Sequence, residues 1–429
     1  MQYKQLRETE LMRQLAMMTV IGTLALLLLL TSVLLFGPES QAFPRLRGNY
    51  FATACQHPNW VEEKVDTEYE FEPISPTPAP EQQSNVANKY KRTTPLVVYD
   101  SPPVTLPEPY TLRWRMGIGI PEKNPLYFQW PQSRPGWYLN WTTGYRETRR
   151  LGGLLHAVQM NQPDETTLGM SFVPMVRVPK GELRPPPEAL MALATKNPGR
   201  TWLIGNEPDV EWQDNATPEQ YAYAYRCAHA AIKSGDPTAT VAFAGLSQIT
   251  PLRIQYLDRI WSFYRSAFGQ EMPVDLWNMH AFVLREEAES WGVRIPPGLE
   301  AIPHGYLWEI EDHARLDLVE EQIRLMRGWM KEHGQQEKPL IISEYGILLP
   351  EDYGFSIPDV VRFMWGSFDL FQSLQDSELG YPEDDFRLVQ RWVWFSTRYD
   401  LYPTGDLFNL DDTPGPLLRA MNMYMEQNQ

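Results

Sequence analysis

Two glutamates stand where apolar runs of the sequence end, and their placement is the strongest chemical signal in the chain. Glu207 follows the run TWLIGN (201–206), and Glu344 lies near the end of the run LIISEYG (340–346). Catalytic side chains of (β/α)8 barrels lie at the carboxyl ends of the strands. Two carboxyl groups that converge there can hydrolyse a glycosidic bond, one as proton donor and the other as nucleophile. The pair therefore predicts glycoside hydrolysis.

Eight strand-like runs from residue 112 onward position these glutamates, and most are separated by a helical stretch. This alternation predicts an α/β fold, a (β/α)8 TIM barrel over residues 111–429, with Glu207 after the fourth strand and Glu344 on the seventh. Thr217 and Gln220 predict a capped helix start, and an apolar stripe from Leu316 to Met330 predicts a second helix. The strands are expected at 112–120, 136–141, 171–178, 201–206, 240–245, 274–282, 340–346 and 388–395.

The first 110 residues differ in composition from the barrel. Residues 15–36 carry no charge and could form a helix about 33 Å long, so we predict a transmembrane signal anchor behind a cytoplasmic tail of residues 1–14. Residues 37–110 are rich in Pro, Gln and Ser and predict an extracytoplasmic stalk. We expect a single-pass protein of the cell membrane with its catalytic domain outside, or a secreted one if the chain is cleaved near Ala42.

Charge and cysteine content weigh against several classes of function. A net charge of −16 argues against nucleic acid as a partner. Cys55 and Cys227 make no zinc site, and Cys227 falls in a predicted helix, where we expect a free thiol; a bridge between the two is the alternative. The histidines show no metal-ligand spacing, and nucleotide-binding and serine-hydrolase motifs do not occur. We expect a monomer without metal or cofactor.

The residues around both glutamates resemble those of clan A of the retaining β-glycoside hydrolases. The resemblance is carried by Asn206-Glu207-Pro208 after the fourth strand and by Glu344 on the seventh. Over roughly 112–426 the chain resembles, within that clan, the fungal alkali-sensitive-linkage type of glycosyl hydrolase. It departs from that family at Phe282, where tyrosine is usual. The matching motifs are Trp137 to Trp141, Pro174-Met175, Asn206 to Asp209, Val274-Asp275 with His280, Ser343 to Tyr345, and Arg391 to Phe395.

The resemblance implies a role for each residue of the site. Glu207 would be the general acid/base and Glu344 the nucleophile of a double displacement on a β-linked glycan, for which the family suggests β-1,3-glucan. Glu207 must then hold a proton while Glu344 is ionised. Asn206 would bind the sugar 2-hydroxyl. The remaining contacts are expected from the ends of other strands: Trp394 as the stacking floor, Asn140, Trp141 and His280 around the pocket, and Arg177 as a group that orients a carboxylate.

Two other functions would use the same residues. One is a non-catalytic surface barrel that binds glycans, and the other is a transglycosylase that remodels a cell-wall polymer. The long acidic segment 285–312 after the sixth strand is expected to reshape the cleft, either by narrowing it or by covering it.

Overall fold

The computed structural model describes residues 54–55, 105–121, 123–151, 154–160 and 163–428. The chain divides into a unit of residues 1–56 and a unit of residues 57–429. The predicted tail, the predicted membrane span and most of the predicted stalk lie outside the described residues. Within the described ranges, no helix has both the length and the apolar character needed to cross a bilayer.

Eight parallel strands in the described part of the larger unit close into a barrel. They are β1 (Met116–Gly119), β2 (Trp137–Leu139), β3 (Ser171–Phe172 and Met175–Val176), β4 (Thr201–Ile204), β5 (Thr240–Ala242), β6 (Trp277–His280), β7 (Leu340–Tyr345) and β8 (Arg391–Trp394). Each strand pairs with the next, β5 and β6 through the bridge between Ala242 and Leu276. β8 returns to β1, where Met116 pairs with Trp392. The ring confirms the predicted α/β barrel and the positions of the fourth and seventh strands.

Two strands differ from the prediction for identifiable reasons. β3 is split at Val173–Pro174, because proline has no N–H to donate to the neighbouring strand. The Pro174 carbonyl still accepts a hydrogen bond from the Leu203 N–H at 2.9 Å. The expected start of β1 is instead a helical turn, capped by the Thr111 hydroxyl, which accepts from the Trp114 N–H at 3.3 Å.

Helices follow most of the strands and cover the outside of the barrel. The helix after β4 begins with the predicted capping box of Thr217 and Gln220. The helix after β6 buries the predicted apolar stripe, including Val319, Ile323 and Met326. The α-helices are α1 (Leu112–Arg115), α2 (Glu165–Leu168), α3 (Pro187–Lys196), α4 (Pro218–Gly235), α5 (Pro251–Phe268), α6 (Leu316–Glu332), α7 (Ile357–Ser373) and α8 (Pro416–Gln427), and 3-10 turns occur at Pro125–Tyr127, Pro179–Gly181, Ile310–Ala314, Glu351–Tyr353, Pro382–Asp384 and Pro403–Gly405.

An apolar cluster fills the interior of the barrel. Its members alternate along the strands with residues that face the helices, as barrel geometry requires. Burial of each large side chain contributes about 1.5–3 kcal/mol, so this layer gives the strand ends a stable base. The cluster consists of Trp137, Leu139, Val173, Met175, Leu203, Ala242, Leu276, Ile341 and Val393.

An antiparallel hairpin between β2 and β3 was not predicted. Its strands are Tyr145–Leu151 and Leu154–Met160, and Leu151 pairs with Leu154 at the tip. The sequence held a signal for it, because Gly152-Gly153 is a typical two-residue hairpin loop.

The two cysteines are both disulfide-bonded, so the free thiol expected at Cys227 was wrong. Cys227 is buried on α4, as its helical context indicated. Burial alone, however, does not distinguish a thiol from a disulfide. Disulfides persist in oxidising compartments and are rare in the cytosol.

Candidate active site

Glu207 lies in a tight turn that follows β4. Its backbone is left-handed (φ 41°), a conformation that costs a residue other than glycine of order 1–3 kcal/mol. The Glu207 N–H donates to the Gly245 carbonyl at 3.0 Å, and the Glu207 carbonyl accepts from the Val210 N–H at 3.0 Å. These bonds hold the turn in a shape that directs the carboxyl group into the barrel mouth, where the side chain is 10% exposed.

Glu344 is brought to the mouth by an irregularity in β7. The strand register shifts between Ile342 and Glu344 against β6, and between Ile342 and Tyr345 against β8. A bulge of this kind inserts a residue and redirects the side chains around it. Glu344 thereby pairs with His280, while the Tyr345 ring packs into the helix layer, 5.0 Å from the Phe371 ring.

His280, the last residue of β6, lies between the two glutamates. Its Nδ1 is 2.8 Å from Glu207 Oε1, and its Nε2 is 3.3 Å from Glu344 Oε1. The first contact is a hydrogen bond, whereas the second has an ion-pair distance without hydrogen-bond alignment. Gly245 provides the space, since a Cβ at this position would lie 2.2 Å from His280 Nε2. A glycine that follows β5 therefore allows one imidazole to lie between both carboxyl groups.

The separation of the two carboxyl groups determines which hydrolytic geometry the site fits. One ligand atom from each of Glu207, His280 and Glu344 lies within 4.8 Å of the others, so the two carboxyl groups have oxygens no further apart than this. Retaining glycosidases hold their carboxyl groups about 5–5.5 Å apart, and inverting ones about 6.5–9.5 Å apart. The site has the short separation.

The same three side chains are of types that bind divalent cations. In this site, however, His280 Nδ1 is bonded to Glu207, and the Trp141 indole N–H donates to Glu344 Oε1. Hydrogen bonds to neighbouring side chains therefore already hold one nitrogen of His280 and one oxygen of Glu344.

Burial in the barrel changes the pKa values of Glu344 and His280. Burial raises the pKa of Glu344 to about 7, with a further increase from the Glu207 carboxylate, while His280 and the Trp141 N–H oppose it. Burial alone would lower the pKa of His280, but the two carboxylates outweigh it and raise that pKa. The sequence predicted a Glu344 that is ionised throughout. In the structure, the pKa of the Glu344 carboxyl group lies near neutral pH instead, because so little of the carboxyl group contacts water.

Asn206, directly before Glu207, offers an acceptor to a ligand. Its Nδ2 donates to Gln213 Oε1 at 3.0 Å, whereas its buried Oδ1 has no hydrogen-bond partner among the described residues. The turn is fixed by Asp214, whose Oδ2 accepts the N–H groups of Asn206 at 2.8 Å and Val178 at 2.9 Å. The free Oδ1 fits the hydroxyl-binding role that the resemblance implies.

Arg177 contacts the loop that follows β4 rather than a glutamate. Its Nε lies 2.7 Å from Oδ1 of Asp214, whose side chain is fully buried, and its Nη2 is 3.3 Å from Gln213 Oε1. The expected carboxylate partner is therefore Asp214, and the charge of Arg177 acts on Glu344 only through space. Sequence reasoning missed Asp214, because it lies in a loop without a motif.

Asn140 and Trp141 follow β2 and have different partners. The Asn140 side chain closes its own loop, with Nδ2 donating to the Gly144 carbonyl and Oδ1 accepting from the Thr142 N–H at 3.3 Å. Trp141 has a left-handed backbone (φ 58°) and bonds to Glu344. Trp141 thus reaches the site directly, while Asn140 shapes the turn that carries it.

Trp394 does not lie in the barrel mouth. Its side chain is fully buried, its Nε1 donates to the Gly405 carbonyl at 2.8 Å, and its ring is 5.4 Å from the Tyr345 ring in the helix layer. Alternation along β8 explains this position, because Val393 belongs to the barrel interior and its neighbour must face outward. The stacking role predicted for Trp394 does not fit this location.

Aromatic side chains from other positions line the mouth. Phe395 is at their centre, with ring centroids 5.4 Å from Trp141, 5.7 Å from Tyr399, 6.1 Å from Tyr402 and 6.3 Å from Phe282. We call these five residues the aromatic wall. Trp141, Tyr399 and Tyr402 are partly exposed, so their rings are available to stack on a sugar.

A buried ion triad of Asp209, Arg253 and Glu286 joins the loop of Glu207 to the segment after β6. Arg253 Nε lies 2.8 Å from Asp209 Oδ2, Arg253 Nη1 bonds to Glu286 Oε1, and all three side chains are 0% exposed. Glu286 also accepts the Tyr306 N–H at 2.7 Å. Sequence reasoning missed this triad, because its members come from two separate loops and from helix α5.

The segment 285–312 packs beside the site, and whether it narrows or covers the cleft stays a prediction. Arg294 Nη1 lies 2.8 Å from Glu211 Oε2 in the loop that carries Glu207, and Val293 packs in the same apolar cluster as Phe395. With these contacts in place, Glu207 is 8% and Glu344 is 5% exposed.

Comparison with known proteins finds solved structures with a similar fold. No protein-family model and no curated protein matches the chain. A glycoside hydrolase family 128 endo-β-1,3-glucanase from Sorangium cellulosum is 16% identical, covers 73% of this chain and 99% of its own, and has a TM-score of 0.44. A curdlan-specific exo-β-1,3-glucanase of that family from Blastomyces gilchristii is 16% identical, covers 72% and 97%, and has a TM-score of 0.43.

An oligosaccharide-binding protein of the same family from Cryptococcus neoformans is 16% identical, covers 77% of this chain and 100% of its own, and has a TM-score of 0.45. Likeness at this level assigns neither a family nor an activity to the chain. The alkali-sensitive-linkage resemblance stays a prediction from its motifs.

Proposed function

We propose that this protein is a retaining glycoside hydrolase that cleaves a β-linked glucan. The observation that carries the proposal is the approach of Glu207 and Glu344, from the fourth and seventh strands, to within 4.8 Å. A barrel of this size offers many strand-end positions. Two carboxyl groups at the separation that retention requires, beside a free amide oxygen and partly exposed aromatic rings, form a sugar-cleaving site.

The proposed reaction has two displacements. The Glu344 carboxylate bonds to the anomeric carbon as the glycosidic C–O bond breaks, and the leaving oxygen takes the proton from Glu207. Water then attacks the anomeric carbon and gives a proton to Glu207, and Glu344 leaves as a carboxylate. Asn206 Oδ1 accepts a sugar hydroxyl in both steps.

We propose β-1,3-glucan as the first substrate to assay, since the resembled family implies it. Reducing-sugar release across a panel of β-glucans, xylan, mannan and galactan identifies the substrate. Release of reducing sugar from β-glucans alone supports the proposal. Release from a different polymer alone would show that the substrate is not a β-glucan. Sizing of products with excess acceptor separates hydrolysis from transglycosylation.

The roles of the two glutamates are tested with substitutions that keep their shape. Glu207→Gln and Glu344→Gln should each lower kcat by about 10²–10⁴-fold or more, whereas Glu332→Gln, at the exposed end of α6, should not. An aryl glucoside with a good leaving group distinguishes the two roles, because it needs no acid. With it, Glu207→Gln should show a burst of phenol release and Glu344→Gln none. Near-wild-type activity in either variant contradicts the assignment.

One observation favours a second candidate, a non-catalytic glycan-binding barrel. His280 lies within ion-pair distance of both Glu207 and Glu344, and all three side chains are little exposed, as in a polar cluster that serves structure. Calorimetry with laminari-oligosaccharides, together with reducing-end assays, separates the candidates. Binding without release of reducing ends supports the second.

We also propose that the barrel works outside the cytoplasm. The support is the disulfide-bonded state of Cys55 and Cys227, since such bonds require an oxidising compartment. The apolar run at 15–36 would anchor it, as the sequence predicts. Fractionation of membranes with and without residues 1–42 tests the anchor, and recovery of both forms in the soluble fraction would overturn it.

A further inference from the structure

The carboxyl group of Glu344 is held on one side only. Among the described residues, its side-chain contacts are the Trp141 indole N–H and His280 Nε2, and both fall on Oε1. Indole is a donor with no acceptor, so its hydrogen bond is strongest to an ionised carboxylate. The contact therefore favours the form of Glu344 that attacks.

Three features fix the indole in this position. The Asn140 side chain closes the loop of residues 140–144 and sets the left-handed backbone of Trp141. Gly119, at the end of β1, leaves room for the ring, since a Cβ there would lie 2.7 Å from Trp141 Cη2. The Phe395 ring contacts the indole at an interplanar angle of 71°. The loop, the neighbouring strand and the aromatic wall thus all position one N–H group.

We propose that Trp141 is the positioning residue of the nucleophile, so that Oε1 of Glu344 is the anchored oxygen and Oε2 the attacking one. This rests on the proposed function, because it assigns an attack to Glu344. It differs from the pocket-lining role that the resemblance implies for Trp141, and from stacking of the partly exposed ring on a sugar. A stacking ring acts through its face, whereas a positioning donor acts through a single N–H.

The charges around Glu344 show what loss of this bond would do. The titratable groups that face it are Glu207 from the loop after β4, His280 from β6 and Arg177 from β3. None of them replaces the indole N–H in Trp141→Phe. In this variant one of the groups that lower the pKa of Glu344 is missing, while burial still raises that pKa. Glu344 is therefore protonated more readily.

The test is Trp141→Phe, which keeps an aromatic face and removes the N–H. We expect kcat to fall about 10- to 100-fold with KM changed less than about threefold, and the acidic limb of the pH profile to rise by about one to two pH units. Trp141→His, which retains a ring N–H, should recover part of both effects. The matched control is Trp365→Phe, which removes an indole bond of 3.0 Å to the Ala420 carbonyl on the helix layer and should leave kcat unchanged.

A stacking role predicts a different result: kcat and the pH profile stay unchanged in Trp141→Phe, because the phenyl ring can still stack on the sugar, and that result overturns the proposal. Unfolding of Trp141→Phe is detected by its circular dichroism, and Trp141→His then carries the test. Carbon-13 NMR of the glutamate carboxyls reads the pKa of Glu344 without any substrate. A rise in Trp141→Phe supports the hydrogen bond even if no glycan is cleaved, and an unchanged pKa refutes it.

Discussion

Removal of Arg253 should destabilise the barrel more than removal of any surface arginine. Arg253→Met would leave Asp209 and Glu286, both 0% exposed, as two buried acids without a counter-ion. Breaking a buried pair from one side costs about 3–5 kcal/mol, because the remaining charge is not solvated. Set against a total stability of about 5–15 kcal/mol, this raises the unfolded population by about two to four orders of magnitude.

The assay is urea denaturation followed by circular dichroism, with thermal melting as a second measure. At about 2 °C for each kcal/mol in a large domain, the melting temperature should fall by about 6–10 °C. Arg315→Met is the matched control, since its ion pairs with Asp312 and Asp317 are solvent-exposed and should add little to stability.

A triple variant tests the cause of the effect. Asp209→Asn, Arg253→Met and Glu286→Gln together remove all three buried charges and should recover most of the lost stability. If Arg253→Met costs no more than Arg315→Met, the triad does not hold the loops, and the reasoning is refuted. If the triple variant is no more stable than Arg253→Met, the loss came from packing of the arginine stem.

Three further predictions concern pH and aromatic contacts. The acidic limb of kcat/KM should lie near pH 7, because Glu344 must lose its proton to attack; a limb near pH 4.5 in initial-rate profiles would contradict this. Phe395→Ala should raise KM about 3- to 10-fold while Trp394→Phe changes KM less than about twofold, as saturation kinetics would show. His313 is buried and accepts the Leu348 N–H at 2.9 Å, and burial lowers its pKa to about 4. Its pKa in the unfolded chain is near 6.5, so neutral His313 contributes fully to the stability of the fold above pH 6.5. As the pH falls toward 4, up to about 3 kcal/mol of that stability is lost. A plot of urea midpoint against pH should therefore be flatter over this range in His313→Gln.

The barrel was predictable because each strand is a short apolar run that ends at a polar or glycine-containing turn. This pattern is local, and the residues at 201–206 and 340–346 display it without reference to the rest of the chain. The same locality placed Glu207 and Glu344 at strand ends. Their convergence followed from topology, since the carboxyl ends of parallel barrel strands meet at one face.

Side-chain direction was less predictable, because it depends on register. The sequence RWVWF contains three aromatic residues, and a shift by one position exchanges the set that faces the mouth with the set that faces the helices. Val393 is the residue that points inward, so Trp394 lies outside and Phe395 reaches the mouth. The bulge that turns Glu344 toward His280 is likewise a property of strand pairing, absent from the local sequence.

Contacts between side chains that are far apart in the sequence could not be predicted either. Arg177 was expected to orient a carboxylate, but the sequence did not identify its partner, Asp214, which lies in the loop after β4. Nothing in the composition of either segment specifies that pairing. The ion triad around Arg253 required the placement of helix α5 and two loops at once, so only the folded chain reveals it.

The closure of β8 against β1 has a consequence for how the chain is made. Met116 pairs with Trp392, so the ring stays open until nearly the last residues have been synthesised. At about 5–20 residues per second, the stretch from Gly119 to Trp394 takes roughly 15–55 s. During that interval β1 presents an unpaired edge, and β7 presents a second one from its synthesis until β8 is made; such edges are sites of aggregation. A fragment that ends before β8 should therefore accumulate as insoluble protein.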